Sequence, residues 1–118
     1  MLKVVWNRAT GWGYHDSMSM VFDKKEALTR LCERRGVREL YLFGSAAEGT
    51  FEPSRSDYDF LVRFFPCAPA EHADRYLGLL EDLQDLLGAR IDLIEIDAIK
   101  NDYFRRETEA TRVPLYAA

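Results

Sequence analysis

The sequence has no excess of basic residues, only two cysteines and no long apolar run. Its 118 residues include 16 Lys and Arg against 20 Asp and Glu, a formal net charge of -4 at pH 7. Proteins that coat phosphate backbones are usually basic, so the acidic balance disfavours general nucleic-acid binding, although it leaves room for a local basic patch. Cys32 and Cys67 form no C-x-x-C pair. They fit buried or idle thiols in a reducing cytoplasm better than a disulfide framework.

The lack of apolar runs disfavours two further classes of protein. No stretch approaches the roughly 20 apolar residues that a transmembrane helix needs. The first fifteen residues carry Lys3 and Arg8 and lack the unbroken apolar segment of a signal peptide. We therefore expect a cytoplasmic protein that makes no contact with membranes. Hydrophobic residues still make up 47% of the chain, which is enough for a core, and the length fits one domain.

Hydrophobic periodicity predicts the main elements from residue 23 onward. A helix over residues 24–35, capped by Asp23 and ended by Gly36, precedes strands over 37–43 and 57–65. A longer apolar-striped helix over 70–87 leads to a strand over 91–96, a helix over 98–110 and an extended piece over 113–116. Before residue 20, Leu2 to Trp6 indicates a short strand and Gly11 to Gly13 a turn. This order describes a small α/β or α+β layered structure. The loop between the first two confident strands allows parallel or antiparallel pairing.

Asp57 and Asp59 lie at the start of the second confident strand. Residues i and i+2 of a strand project to one face, roughly 6.5 to 7 Å apart, so the two carboxylates point the same way. The opposite face then supplies core through Tyr58, Phe60, Val62 and Phe64. Two like charges on one face need solvent or a cation, and Mg²⁺ takes oxygen ligands. An exposed strand start with two solvated aspartates is the ordinary explanation of an isolated D-x-D.

Asp92 interrupts the apolar strand Ile91-Asp92-Leu93-Ile94, where an acid needs a partner. If this strand lies beside the one before it, Asp92 joins Asp57 and Asp59 around metal ions. Three carboxylates can hold two metals about 3.5 to 4 Å apart, the arrangement that clamps the attacking and leaving oxygens in phosphoryl transfer. The alternative is an edge acid at the mouth of a sheet.

Gly44 and Ser45 directly follow the strand over residues 37–43, and small residues continue after them. Small residues let backbone N–H groups approach a phosphate, and a following helix N-terminus favours negative charge. A plain turn explains a lone Gly-Ser. The Gly-Ser pair lies shortly before the aspartate pair, however. The Gly-Ser pair, the aspartate pair and Asp92 are much less frequent together by chance than each is alone.

Two runs of the chain carry a resemblance to a known family: Leu42-Phe43-Gly44-Ser45-Ala46-Ala47-Glu48-Gly49, and Ser56-Asp57-Tyr58-Asp59-Phe60-Leu61-Val62. Together they resemble the G-S-x-A-R-G…S-D-x-D-L-x-V signature of the minimal nucleotidyltransferases, in the DNA polymerase beta-like nucleotidyltransferase superfamily. Asp92 falls where that family places its third carboxylate. The resemblance covers about residues 23–116. We therefore divide the chain into an unassigned extension, 1–22, and a nucleotidyltransferase domain, 23–118, within a single domain overall.

The resemblance implies an α+β fold, a small mixed β-sheet flanked by helices, that binds a nucleoside triphosphate with Mg²⁺. The resemblance also implies that Asp57 and Asp59 hold the metal ions that bind the triphosphate. Asp92 then completes a two-metal site for the attacking hydroxyl. Gly44 and Ser45 cradle the β and γ phosphates. The products are a nucleotidyl–acceptor bond and pyrophosphate, a transfer achieved mostly by positioning and charge neutralisation.

One position departs from the family motif. Glu48 stands where the family has arginine, so an anion replaces a cation near the triphosphate. We take Arg55 or Arg63 as hypothetical sources of the missing charge, and Arg63 shares the strand face of the aspartates. The predicted nucleotide-binding set is therefore the Gly-Ser turn, Ser56 and Arg63. No histidine is needed, and His15 and His72 are expected at the surface.

Small bacterial members of this family resemble antitoxins of two-gene modules that attach AMP to a tyrosine of an α-helical HEPN-domain ribonuclease. The resemblance implies an ATP-dependent protein adenylyltransferase antitoxin in a hetero-oligomer with a HEPN toxin, with no direct nucleic-acid contact. The alternative, favoured by Glu48, is an antitoxin that kept the fold and neutralises its partner by binding alone. Transfer to a small molecule such as an aminoglycoside requires an acceptor pocket, and a nucleic-acid polymerase conflicts with the acidic charge.

Overall fold

The computed structural model describes the backbone of residues 3–7, 11–15, 17–48 and 57–118, and the side chains from residue 20 onward within those ranges. In chain order these residues form strand β1 (Lys3–Asn7), strand β2 (Gly11–His15), helix α1 (Ser17–Phe22), helix α2 (Lys25–Arg34), strand β3 (Val37–Phe43), helix α3 (Gly44–Glu48), strand β4 (Tyr58–Phe64), helix α4 (Pro69–Leu87), strand β5 (Ile91–Glu95), a 3₁₀ turn (Ile96–Ala98), helix α5 (Asp102–Thr111) and strand β6 (Val113–Ala117). The predictions for Gly49, Arg55 and Ser56 lie outside the described residues.

Four strands form a mixed sheet in the order β5-β4-β3-β6. β3 is antiparallel to both β4 and β6, whereas β4 and β5 are parallel. A parallel pair needs a crossover connection, and α4 supplies it. The prediction of a small mixed sheet flanked by helices is confirmed. The pairing sense of the first two confident strands, left open by the length of their loop, is antiparallel.

Strand β4 is buried on both faces and divides the core into two clusters. Its residues Tyr58, Phe60, Val62 and Phe64 belong to the larger cluster, with side chains of α2 and α4 such as Leu28 and Leu79. This alternation was predicted from the period of the strand. On the other face Leu61 is fully buried against Phe43 and Ile99, under the 3₁₀ turn and α5. That second, smaller cluster was not predicted, and Asp59 lies on its face.

The helix ends follow local sequence features in most places. α2 begins after Lys24, which makes no side-chain capping bond, so the predicted Asp23 cap is wrong. α4 starts at Pro69 and ends at Gly88, whose left-handed φ of 58° suits a residue without a side chain. Asn101 caps α5 by accepting a 3.0 Å hydrogen bond from the Phe104 N–H. In the described part of the chain, no helix combines the length and the apolar character that crossing a bilayer requires.

The N-terminal segment folds as a separate antiparallel hairpin of β1 and β2. The strand predicted at Leu2 to Trp6 corresponds to β1. The turn predicted at Gly11 to Gly13 is wrong, because these residues lie within β2, where pairing with β1 overrides the turn preference of glycine. α1 follows, and its Val21 is buried in the larger core cluster. The division of the chain at residue 22 stays a prediction.

The structure gives the surroundings of three side chains that were predicted to have no catalytic role. Burial raises the pKa of the Cys32 thiol to about 12, which keeps it protonated and unreactive at neutral pH. Cys67 is half-buried and forms no disulfide. His72 is not the simple surface residue that was expected: its Nε2 hydrogen-bonds Glu95, and its ring meets Phe64 edge-on with the centroids 5.3 Å apart. The histidine therefore ties the start of α4 to the end of β5.

Candidate active site

The start of β4 brings the predicted acidic residues together. Asp59 pairs in register with Asp92 on the parallel neighbour β5, and with Phe43 on the antiparallel neighbour β3. Residues in register on adjacent strands about 4.8 Å apart project to the same face, so the Asp59 and Asp92 carboxylates are neighbours. Asp57 lies one pleat earlier, just before β4 begins. The register thus makes Asp59 and Asp92 neighbours, and the joint site of all three carboxylates stays a prediction.

Gly44 lies directly against the Asp59 carboxylate. It is the first residue after β3 and has a φ of +70°, a conformation that side chains with a Cβ rarely adopt. A Cβ added at this position would overlap the Asp59 carboxylate oxygen Oδ2 and lie 3.1 Å from its Cγ. Glycine is therefore required twice over here, by the backbone conformation and by the approach of the carboxylate. Ser45 follows at a half-buried position in α3.

Among the described residues, the charges that shift the pKa of Asp59 are those of other acids, and no basic side chain counters them. Burial, and then the charges of Asp92 and Asp57, raise the pKa of Asp59 from 3.8 to about 6. Such a shift disfavours the ionised form, and a bound cation reverses it. A raised carboxyl pKa at a sheet edge, next to two other acids, is typical of a functional site.

Asp57 has a partner of its own. Its Oδ1 accepts a 2.7 Å hydrogen bond from the Arg90 Nε, in an ion pair at the protein surface. Arg90 precedes β5 as Asp57 precedes β4, and the Arg90 carbonyl accepts a 2.9 Å hydrogen bond from the Tyr58 N–H. This partner was not predicted, although the parallel register of β4 and β5 would have revealed it. An ion pair at this exposure contributes up to about 1 kcal/mol, so it is readily exchanged for another cation.

The residues present suit a divalent cation in charge and in ligand type. Carboxylate oxygens are the ligands that Mg²⁺ prefers. Burial, and after it the charges of Asp92 and Asp57, raise the pKa of Asp59, and a cation would stabilise its ionised form. The absence of a side chain at Gly44 leaves room for the Asp59 carboxylate itself, which lies against the Gly44 backbone. Within the described residues, no three His, Cys, Asp or Glu side chains are already gathered as a ligand set. The Asp57 carboxylate instead forms an ion pair with the Arg90 guanidinium.

Arg63 lies away from the three carboxylates. It shares the face of Asp59, as predicted, but its guanidinium donates to Glu39 and, at 3.2 Å, to Asp97. Hydrogen bonds from Tyr41 and Arg63 hold the pKa of Glu39 below its usual range. The charge of Arg63 is therefore already neutralised. Its nucleotide-binding role stays a prediction, and these two ion pairs hold its guanidinium at Glu39 and Asp97.

The raised pKa of Asp59 predicts an unusual pH dependence of stability in metal-free buffer. The folded protein holds a proton on Asp59 up to about pH 6, whereas the unfolded chain releases it near 3.8. Asp59 therefore destabilises the fold increasingly as the pH rises through this window. Two pKa units correspond to about 2.7 kcal/mol, and solvent screening of this half-buried group reduces the expected effect to about 1 kcal/mol.

Urea unfolding of wild type and Asp59→Asn between pH 4 and pH 8 measures this effect. We expect the variant to be the more stable protein at pH 7 by about 1 kcal/mol, and the difference to disappear near pH 4. Parallel stability curves for the two proteins would contradict the raised pKa.

Comparison with known proteins adds a family to this geometry. Residues 24–115 match the nucleotidyltransferase domain family. The chain belongs to that family. Two candidate protein adenylyltransferases of Methanocaldococcus jannaschii are similar to it: MJ0128 is 36% identical over 81 residues, covering 67% of this chain and 76% of the relative. MJ1379 is 32% identical over 96 residues, covering 78% and 94%. The predicted enzyme class, nucleotidyltransferase, is confirmed by this membership.

Solved structures of similar fold include a candidate minimal nucleotidyltransferase (TM-score 0.63, 29% identity), with 86% of this chain and 97% of that chain covered. A chain of a toxin–antitoxin complex crystallised with AMP-PNP matches with a TM-score of 0.61 at 18% identity, covering 80% and 73%. A further match is a tri-AMPylated Shewanella oneidensis HEPN toxin in complex with its MNT antitoxin (TM-score 0.56, 15% identity; 83% and 73% covered). The resemblance to minimal nucleotidyltransferases is confirmed, and the last two matches establish likeness of fold.

Proposed function

We propose that this nucleotidyltransferase is an antitoxin that transfers AMP from ATP to a tyrosine hydroxyl of a HEPN-type toxin. The observation that carries the proposal is the Asp59 carboxylate, seated against Gly44 beside Asp92 with its pKa raised. An acid held in this way is prepared for a cation and an anionic substrate rather than for a structural ion pair.

The comparisons support the choice of nucleotide and acceptor. The two Methanocaldococcus relatives are named as protein adenylyltransferases, which act on proteins rather than on small molecules. Chains of similar fold occur in a complex with the ATP analogue AMP-PNP and in a complex with an AMPylated HEPN toxin. The similar fold and the acidic site on this chain make the same reaction the simplest assignment.

Each residue of the site receives a role in that reaction. Asp57, Asp59 and Asp92 would hold Mg²⁺, which when bound neutralises the triphosphate and favours departure of pyrophosphate. The Gly44 and Ser45 backbone would hold the outer phosphates, and Gly44 begins α3 directly beside the Asp59 carboxylate. The tyrosine oxygen attacks the α-phosphorus, a new P–O bond forms, and the bond to the β-phosphate oxygen breaks. Asp92, which is exposed on β5, would accept the tyrosine proton.

A second candidate is neutralisation of the toxin by contact alone. One observation favours it: Glu48 is exposed at the end of α3, on the helix that Gly44 begins. A carboxylate in this position adds negative charge beside the expected triphosphate and weakens its binding. Three grouped acids, however, serve no purpose in a protein that only binds, so transfer remains the first candidate.

Radioactive labelling distinguishes the two candidates. Lysate of the source organism is incubated with the protein, Mg²⁺ and ATP labelled at either the α or the γ phosphate. We expect a protein band that takes the α label and not the γ label. The label should disappear with Asp57→Asn/Asp59→Asn and persist with Asp74→Asn/Asp85→Asn, which changes the charge equally at exposed positions of α4.

Two other outcomes would change the assignment. A band that takes the γ label indicates transfer of the terminal phosphate, which contradicts nucleotidyl transfer. A partner that binds the wild-type chain without acquiring either label makes contact alone the function. In that case Glu48→Arg, which restores the charge of the family motif, tests whether Glu48 is responsible.

A further inference from the structure

A pocket of about 350 Å³ opens beside Gly44, between α3 and α5. The rings of Phe43 and Phe104 lie in its wall and meet edge to face, with their centroids 6.0 Å apart. Thr108 in the same wall is buried, and its hydroxyl donates to the Arg105 carbonyl at 2.8 Å. The pocket is thus built from packed side chains of two helices and a strand, and it adjoins the proposed phosphate turn.

Two glutamates give the pocket its charge. Glu48 comes from α3 and Glu107 from α5, and none of the described residues that line the pocket is basic. Glu107 accepts a 3.1 Å hydrogen bond from the Tyr103 hydroxyl, which orients its carboxylate. Both glutamates are exposed at the rim of the pocket, where their negative charges repel a triphosphate and attract a cation most strongly at low ionic strength. The pocket is therefore not an extension of the phosphate site.

The combination of aromatic rings and carboxylates suits one side chain above others. A guanidinium is planar, packs on aromatic rings and pairs with carboxylates through several N–H donors, whereas an ammonium is a compact and strongly hydrated charge. We propose that this pocket binds an arginine side chain of the acceptor protein and thereby presents a neighbouring tyrosine to the carboxylate site. Its role in acceptor recognition rests on the proposed AMP transfer.

Glu48 then has a function of its own. The family motif places arginine at this position, whereas in this chain the charge of the pocket is inverted. On our proposal, the change from arginine to glutamate weakens the attraction of this position for the triphosphate and makes it attract a basic acceptor instead. The sign of this one charge becomes a determinant of which proteins are modified.

Peptide pairs test the pocket directly. Each peptide contains a single tyrosine, with arginine at successive positions on either side, and each is matched with a peptide in which citrulline replaces the arginine. Citrulline keeps the shape and removes the charge. Binding of dye-labelled peptides is measured by fluorescence anisotropy at low ionic strength. We expect at least one arginine peptide to bind about tenfold tighter than its citrulline counterpart.

Variants assign the preference to the pocket. Glu48→Gln and Glu107→Gln should each reduce the arginine preference, and the double variant should abolish it. Glu109→Gln removes the same charge from an exposed position of α5 outside the pocket, and should leave the preference unchanged. Circular dichroism melting verifies that the variants fold, and Glu48→Gln, at an exposed position, suffices should Glu107→Gln unfold.

The outcomes separate this inference from the proposed function. Equal binding within every pair, including absence of binding, overturns the arginine pocket, and so does a preference that survives the double variant. The same peptides are then incubated with Mg²⁺ and α-labelled ATP. If peptides are labelled but the arginine peptides bind no tighter than their citrulline counterparts, the proposal of AMP transfer stands and the arginine pocket is overturned. Arginine preference without label on any peptide retains the pocket and overturns AMP transfer.

Discussion

Replacing Asp59 with asparagine should reduce kcat/KM for AMP transfer by about 10³-fold or more while leaving the protein folded. Asparagine keeps the shape of the side chain, so contacts with Gly44 persist. It removes the charge of the carboxylate beside Asp92 and Gly44, and with it part of the attraction for a cation. Pyrophosphate release, measured with purified partner over a range of Mg·ATP concentrations, gives kcat/KM.

The stability of the same variant distinguishes loss of chemistry from loss of fold. Because the pKa of Asp59 is raised to about 6, removal of its charge stabilises the metal-free fold at neutral pH. A less active and more stable variant is the expected pair of results, a common relation at active sites. Asp85→Asn, an exposed substitution on α4, serves as the control. Full activity of Asp59→Asn would remove Asp59 from the site.

Alanine at Gly44 should lower transfer by about 100-fold with a moderate loss of stability. The left-handed backbone conformation costs any residue with a Cβ about 1 to 2 kcal/mol. The added Cβ also overlaps the Asp59 carboxylate. Since a carboxylate at the end of a side chain moves more easily than backbone, we expect Asp59 to be displaced, so most of the effect falls on catalysis.

Gly88 offers a matched control for Gly44. Its φ is +58°, and a Cβ added there meets nothing within 4 Å. Gly88→Ala therefore bears only the cost of the backbone conformation, about 1 to 2 kcal/mol in urea unfolding, and should keep full activity. Equal activity of the two alanine variants would show that the contact between Gly44 and Asp59 does not position the carboxylate.

Much of the site follows from local sequence. The alternation of Tyr58, Phe60, Val62 and Phe64 fixes one face of β4, which places Asp57 and Asp59 on the other. Asp92 was predicted to join them because an acid inside an apolar strand needs a reason, and the parallel register of β4 and β5 brings it beside Asp59. Gly44 was predicted from the motif, but its contact with Asp59 depends on the pairing of β3 with β4.

The remaining features depend on contacts between distant segments. Arg90 was missed as the partner of Asp57 because an arginine before a strand carries no local signal of its contact. The burial of Leu61 was missed because periodicity does not show that α5 returns to cover the second face. Arg63 was predicted to bind the nucleotide only because it shares a strand face with the aspartates. In the structure its guanidinium pairs with Glu39 on β3 and with Asp97 after β5. Each of these results requires the tertiary fold rather than the pattern of one element.

Intact-mass spectrometry of the partner protein tests the central claim most directly. The partner isolated with this chain is incubated with Mg²⁺ and ATP, beside wild type and Asp59→Asn. We predict that the wild-type chain adds the mass of AMP to the partner, that fragmentation places it on a tyrosine, and that one pyrophosphate is released for each AMP. A partner that stays unmodified while bound to the wild-type chain would contradict this account and show that binding alone neutralises it.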